Sequence, residues 1–157
     1  SSTYEIPMNL LVKWMADDAE RRACIAEHPD SILVSPDMPL RANLSVLDNI
    51  ALIPQYRDNL GYDPAADQAW SLLLRAGAES AAFKRDPDLT HAERFVAKLL
   101  RAVIGQPPVI LVDRPGMLLP DTHYPPHIDA LLDKLADALN DCWILDYRWN
   151  APLYPNR

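Results

Sequence analysis

At 157 residues, 49% hydrophobic and 24% charged, the chain suits one ordinary globular domain with a sizeable core. A net charge of −7 with no basic run argues against a nucleic-acid partner, which requires a basic face. No run of about eighteen apolar residues is available to span a bilayer, and no secretory signal opens the sequence. Cys24 and Cys142 lie far apart without metal-ligand spacing, so they read as buried free thiols in a reducing compartment.

Ser1 to Pro7 reads as a loose lead-in. Met8 to Met15 carries Leu10, Leu11, Val12, Trp14 and Met15, and periodicity leaves helix and strand both open. Asp17 to Glu27 reads as a helix with acids at its start, where the helix dipole favours them. Ile32–Val34 reads as a buried strand, closed by Ser35, Pro36 and Asp37. Ser45 then caps a helix, with Asp48 in its first turn. Pro54 to Tyr62 reads as a polar loop. Asp63 as cap and Pro64 in the first turn open a helix reaching Ala76, which Gly77 ends. Ala78 to Asp88 is a linker.

Leu89 to Asp121 reads as helix, tight turn, buried strand and loop. Thr90 and Glu93 form a capping box. Phe95, Val96, Leu99, Leu100, Val103 and Ile104 make one apolar stripe, and Gly105, Pro107 and Pro108 end the helix. Val109 to Val112 is uniformly apolar and β-branched, as in a parallel strand covered on both faces. Asp113 closes it, where α/β sheets bind ligands. Pro115 to Tyr124 is a loop, and Pro126 starts a helix to about Asn140. Cys142 to Leu145 is a further strand, and Trp149 to Arg157 reads as an irregular tail.

Two stretches resemble the nucleotide-binding subunit of ATP-binding cassette (ABC) transporters. Leu89–Thr90–His91–Ala92–Glu93 stands where that family has its LSGGQ signature. Val109 to Asp113 stands at the Walker B strand, and Arg114–Pro115 follows where Glu-Pro is expected. Leu44 to Leu52 matches the family's "LTVLENVAL" segment nearly residue for residue. The resemblance runs from about Ile32 to Arg148. It implies a single α/β domain, 1–157, with a P-loop NTPase-like parallel sheet and an ABC-type helical subdomain over about 44–88.

ATP chemistry in that family requires parts that this sequence lacks. Gly-Lys occurs nowhere, and four scattered glycines do not build a phosphate loop. Ser35, Pro36 and Asp37 stand where the Q-loop glutamine belongs. Arg114 replaces the water-activating carboxylate, and a guanidinium accepts no proton near neutral pH. An ion pair with a nearby acid is its expected use. His91 and Ala92 replace signature glycines that admit the γ-phosphate, and Tyr147 stands at the switch-histidine position. Asp113, without a phosphate loop, is expected to bond backbone N–H groups of the loop after it. No catalytic residue, metal or cofactor is expected, ATP and Mg²⁺ returning only if a phosphate loop lies upstream.

The resemblance therefore implies a non-hydrolysing interaction or regulatory subunit of a membrane transport system, cytoplasmic and peripheral to the inner membrane. Its partner would be a membrane-spanning subunit, a homologous ATPase subunit or a second copy. The alternative is an ATP-binding subunit whose Walker A portion is missing from this chain. A third reading, an unrelated enzyme using Asp113, Asp37 and His91, has no nucleophile–base spacing to support it. In the family, a groove between core and helical subdomain receives a helix of the membrane subunit. Met38, Leu40, Ile53, Tyr56, Leu60 and Tyr62 fall in the corresponding region. Packing beneath the loop and facing a partner both remain open for them.

Overall fold

The computed structural model describes residues 10–154. The lead-in and the last three residues of the tail lie outside that range.

Four parallel strands form one sheet in the order β1-β4-β3-β2. They are β1 Leu10–Met15, β2 Ile32–Val34, β3 Val109–Asp113 and β4 Asp141–Tyr147. The ambiguous Leu10–Met15 segment is thus a strand, settled by its pairing with β4, Leu10 opposite Cys142 through Met15 opposite Tyr147. Helix α1, Asp18–Ala26, covers one face. There Cys24 and Ile25 pack on Val109, Leu111 and Leu145. The other face carries Val34, Ile110, Val112 and Ile144, joined in one apolar cluster with the remaining long helices. These helices are α2 Val46–Arg57, α3 Tyr62–Ala76 and α4 His91–Ile104. With α6 Tyr124–Lys134 they complete that layer. Helices on both faces explain why β3 is buried at every position.

Helix α4 forms as its sequence dictates. Thr90 Oγ1 accepts from the Glu93 N–H at 3.1 Å, and Glu93 Oε1 accepts from the Thr90 N–H at 2.9 Å. Every position from Phe95 to Leu100 is buried. At Gly105 a Cβ would lie 2.5 Å from Ile32 Cδ1, so a larger residue there would force the Ile32 side chain to shift. Gly77 closes α3 at φ +67°.

Several expected boundaries move. Helix α2 does not stop before Pro54 but runs to Arg57. Proline removes one backbone bond there, but Pro54 is itself buried in the core, so packing outweighs the lost bond. The N-cap of α3 is Gly61, not Asp63. The segment after β3 is not wholly loop, because Pro115–Leu118 forms a single turn, α5. Helix α6 starts at Tyr124, two residues early, and ends at Lys134, with a 3₁₀ turn at Ala136–Ala138 beyond. The tail is regular from Arg148 to Leu153, as a 3₁₀ segment. Cys142 is buried, and burial pushes its thiol up to about 12, whereas Cys24 is only half-buried.

Candidate functional site

The C-terminal ends of β2, β3 and the helix after β1 meet at Asp113. Strand alternation explains the convergence. Val109 and Leu111 point to the α1 face, so Asp113 does as well. The register Val34 to Val112 carries the chain one step further to set Ser35 beside Asp113. On α1, Arg21 shares a face with Cys24 and Ile25, three and four residues on, and so projects over the same sheet surface.

The Asp113 carboxylate is fully buried and saturated with donors. Ser35 Oγ donates to its Oδ2 at 2.7 Å, and Arg21 Nη1 donates to Oδ2 at 3.1 Å and to Oδ1 at 3.3 Å. Arg114 Nε and Nη2 reach Oδ2 at 3.2 and 3.1 Å. Its partners are therefore two guanidiniums and a hydroxyl, not the backbone N–H groups expected. Each guanidinium is shared with a second acid nearer the surface. Arg21 Nη2 bonds Asp18 at 2.7 Å, and Arg114 pairs with Asp37. For both arginines burial opposes the charge, but the hydrogen bonds and the Asp113 charge outweigh it, and their pKa values rise. Lys98 of α4 closes the cage from behind, its Nζ donating to the Ser35 carbonyl at 3.0 Å. Burial, then Arg101 and Arg94, depress its pKa.

The connection from β1 to α1 is only Ala16 and Asp17. Asp17 caps α1 by accepting from Glu20 N–H at 2.9 Å, and the Glu20 carboxylate turns back to the Ala16 N–H. The helix N-terminus nearest the site is thus filled by carboxylates of its own chain.

The other sequence-derived residues have separate surroundings. Thr90 and Glu93 are used as the capping box, with Glu93 also paired to Lys84 at 3.0 Å. Leu89 is buried, Ala92 half-buried, and His91 exposed in the first turn of α4 without an ion pair to Asp113 or Asp37. Pro36 links Ser35 to Asp37. Tyr147 stacks on Trp149 with ring centroids 4.3 Å apart. A second buried carboxylate, Asp146, points to the opposite face of the sheet. It accepts from Tyr124 Oη at 2.6 Å, Tyr154 Oη at 2.7 Å, Tyr147 N and Asn150 Nδ2.

A groove of about 390 Å³ lies where the edge of β2 meets α2. Met38, Ile53 and Tyr56 line it. Leu40 does not belong to it, being buried in the core, and Leu60 packs against that core. Tyr62 is also elsewhere, its hydroxyl donating to Asp48 at 2.6 Å.

Solved structures share this architecture. The chain aligns with the ATP-binding cassette MJ0796, in a dimeric post-hydrolysis state bound to ADP and Pi. That alignment has 25% identity and TM-score 0.59 over 84% of this chain. The fold is that of an ABC ATP-binding cassette. A second structure of MJ0796, described as a dimeric bacterial ABC transporter cassette, aligns at 19% identity and TM-score 0.67 over 96% of this chain. The chain spans 57% of the first cassette's length and 80% of the second's. No protein-family model matches the sequence, and no curated protein does. Among the described residues, no helix is long and apolar enough to cross a membrane.

Arg21 and Lys98 were not singled out from sequence. For Arg21 a signal existed, a charge on the apolar side of a helix. Lys98 likewise interrupts the apolar stripe of α4.

Proposed function

We propose that this chain is a cassette-like domain that does not hydrolyse ATP. It works as an interaction or regulatory subunit of a membrane transport system, cytoplasmic and peripheral to the membrane. The observation that carries the reading is the occupation of Asp113, at the Walker B position, by Arg21 and Arg114. Mg²⁺ needs free carboxylate oxygens and usually keeps several waters. Here a metal would have to displace two guanidiniums, leaving Arg21 only the half-exposed Asp18 and Arg114 only the exposed Asp37, which is unfavourable.

Three further features agree. The two residues between β1 and α1 are too few for the eight-residue G-x-x-x-x-G-K-[ST] loop. The α1 N-terminus, where a phosphate would sit, presents Asp17, Asp18 and Glu20. Arg114 cannot activate water as a carboxylate would. The residues present therefore do not fit Mg·ATP. The groove beside α2 is the proposed seat for a membrane-spanning or homologous partner subunit.

ATPase turnover with Mg²⁺ tests the catalytic half of this reading. Background rates are expected for the native chain and for Arg114→Glu, which restores a carboxylate but nothing to hold the triphosphate. Turnover above background that disappears in Asp113→Ala would overturn the proposal.

A further inference from the structure

The groove of about 390 Å³ beside α2 has the size of a small-molecule pocket, at the lower end of the usual range of about 300–1,000 Å³. Ile32, Leu33, Leu52 and Ile53 line it with half-buried aliphatic carbon. Arg41 and Arg101 are its charged groups, and no Asp or Glu belongs to the lining. In a chain of net charge −7, two cations without an acid make a strong local bias.

Both cations are held in place and left without a counter-charge. Arg101 donates from Nη1 to the Pro39 carbonyl at 2.8 Å and from Nη2 to the Met38 carbonyl at 2.9 Å. The Arg41 backbone is clamped by the buried Asn49, whose Oδ1 accepts from its N–H at 2.8 Å and whose Nδ2 donates to its carbonyl at 3.1 Å. Neither guanidinium forms an ion pair among the described residues, whereas those of Arg21, Arg57 and Arg94 do. Burial first, and then the Arg41 charge, hold the Arg101 pKa below its ordinary value, so the two guanidiniums lie close enough to repel one another. An anion between them would relieve that repulsion and replace hydration lost in the groove.

We infer that this groove is a binding site for a small amphiphilic acid, a medium-chain aliphatic carboxylate whose head meets Arg41 and Arg101 and whose tail lies along α2. The two arginines stand by the 38–41 turn, which Asn49 ties to the first half of α2. From Asn49 to Tyr56 the helix rises about 10 Å. Leu52 and Ile53 lie between them, so apolar lining runs on from the cations along the helix. Guanidinium groups recognise a carboxylate through paired, charge-assisted N–H···O bonds. A cavity of this size takes one aliphatic chain, not the two of a membrane lipid. Such a ligand needs no partner subunit, and ligand and partner would exclude one another from the groove.

Titration calorimetry of the full chain with decanoate tests this. Saturable one-to-one binding is expected. Decanol, which lacks the charge, should bind about tenfold more weakly. Octanoate, with two fewer methylenes to bury, should bind about fifteenfold more weakly. Arg41→Gln alters an exposed side chain, so it should weaken decanoate about tenfold while leaving decanol binding and the melting temperature unchanged. Equal affinity for decanoate and decanol, or decanoate binding untouched by Arg41→Gln, would overturn the anionic head site. Acetate binding as tightly as decanoate would overturn the apolar tail site. No saturable decanoate binding would overturn the assignment outright. The titration contains neither nucleotide nor partner subunit, so its failure leaves the ATPase and docking readings to their own tests.

Discussion

Replacing Asp113 by alanine should cost stability on the scale of a broken buried ion pair. Asp113 and Arg21 have side chains 1% and 9% exposed, so water cannot take over the lost interaction. Removing one partner of such a pair costs about 3–5 kcal/mol. Asp18 and Asp37 soften this, because each remains beside one of the orphaned guanidiniums, though 49% and 67% exposed. The lower end, about 3 kcal/mol, is therefore expected, which for this length lowers the melting temperature by about 6–12 °C. Urea unfolding followed by circular dichroism gives the number directly. Asp137→Asn, which breaks the exposed pair with Arg75, serves as the comparison and should lose far less. The double replacement Asp113→Leu with Arg21→Met should recover much of the loss, since well-packed apolar residues often substitute for a buried pair. A loss below about 1 kcal/mol in Asp113→Ala would refute the reasoning, because it would mean that the cage is not closed in solution.

Two other outcomes follow from the same geometry. His127 buries its Nε2 without a hydrogen-bond partner among the described residues, and burial followed by the Lys134 charge lowers its pKa from the usual 6.5. The unfolded chain therefore binds the proton more readily, so the stability from neutral His127 is full above about pH 6.5 and falls as pH drops through and below it. Urea unfolding at pH 7.5 and 5.0 should show this decline shrinking in His127→Phe; identical slopes would contradict it. Tyr56→Ala should weaken association with the proposed partner by about 1–3 kcal/mol without changing the melting temperature. Leu40→Ala, in the core, should instead destabilise by about 2–5 kcal/mol, and the opposite pattern would exchange their roles.

The core strands were legible as short apolar runs, Ile32–Val34, Val109–Val112 and Cys142–Leu145, of the kind a parallel sheet covered on both faces requires. Strand β1 was not, since Lys13 interrupts its apolar run and only pairing with β4 decides its form. Proline at position 54 marks a helix end in sequence, yet the buried ring carries α2 one turn further. At the site, Asp113 stood out at the end of a strand, and Arg114 was expected to pair with an acid, as it does with Asp113 and Asp37. What sequence could not supply was the second guanidinium, because Arg21 lies 92 residues away along the chain. Its arrival depends on which sheet face α1 covers. The same limit applies to Asp146, whose tyrosine partners come from α6 and the tail.

Equilibrium dialysis of labelled ATP with Mg²⁺ against the full chain tests the central claim most directly. With Asp113 held by Arg21 and Arg114 and only Ala16 and Asp17 between β1 and α1, no saturable binding is expected up to about 1 mM, a free energy of about −4 kcal/mol. Asp113→Asn should behave identically. Saturable, Mg²⁺-dependent binding in the micromolar range that is lost in Asp113→Asn would contradict the account.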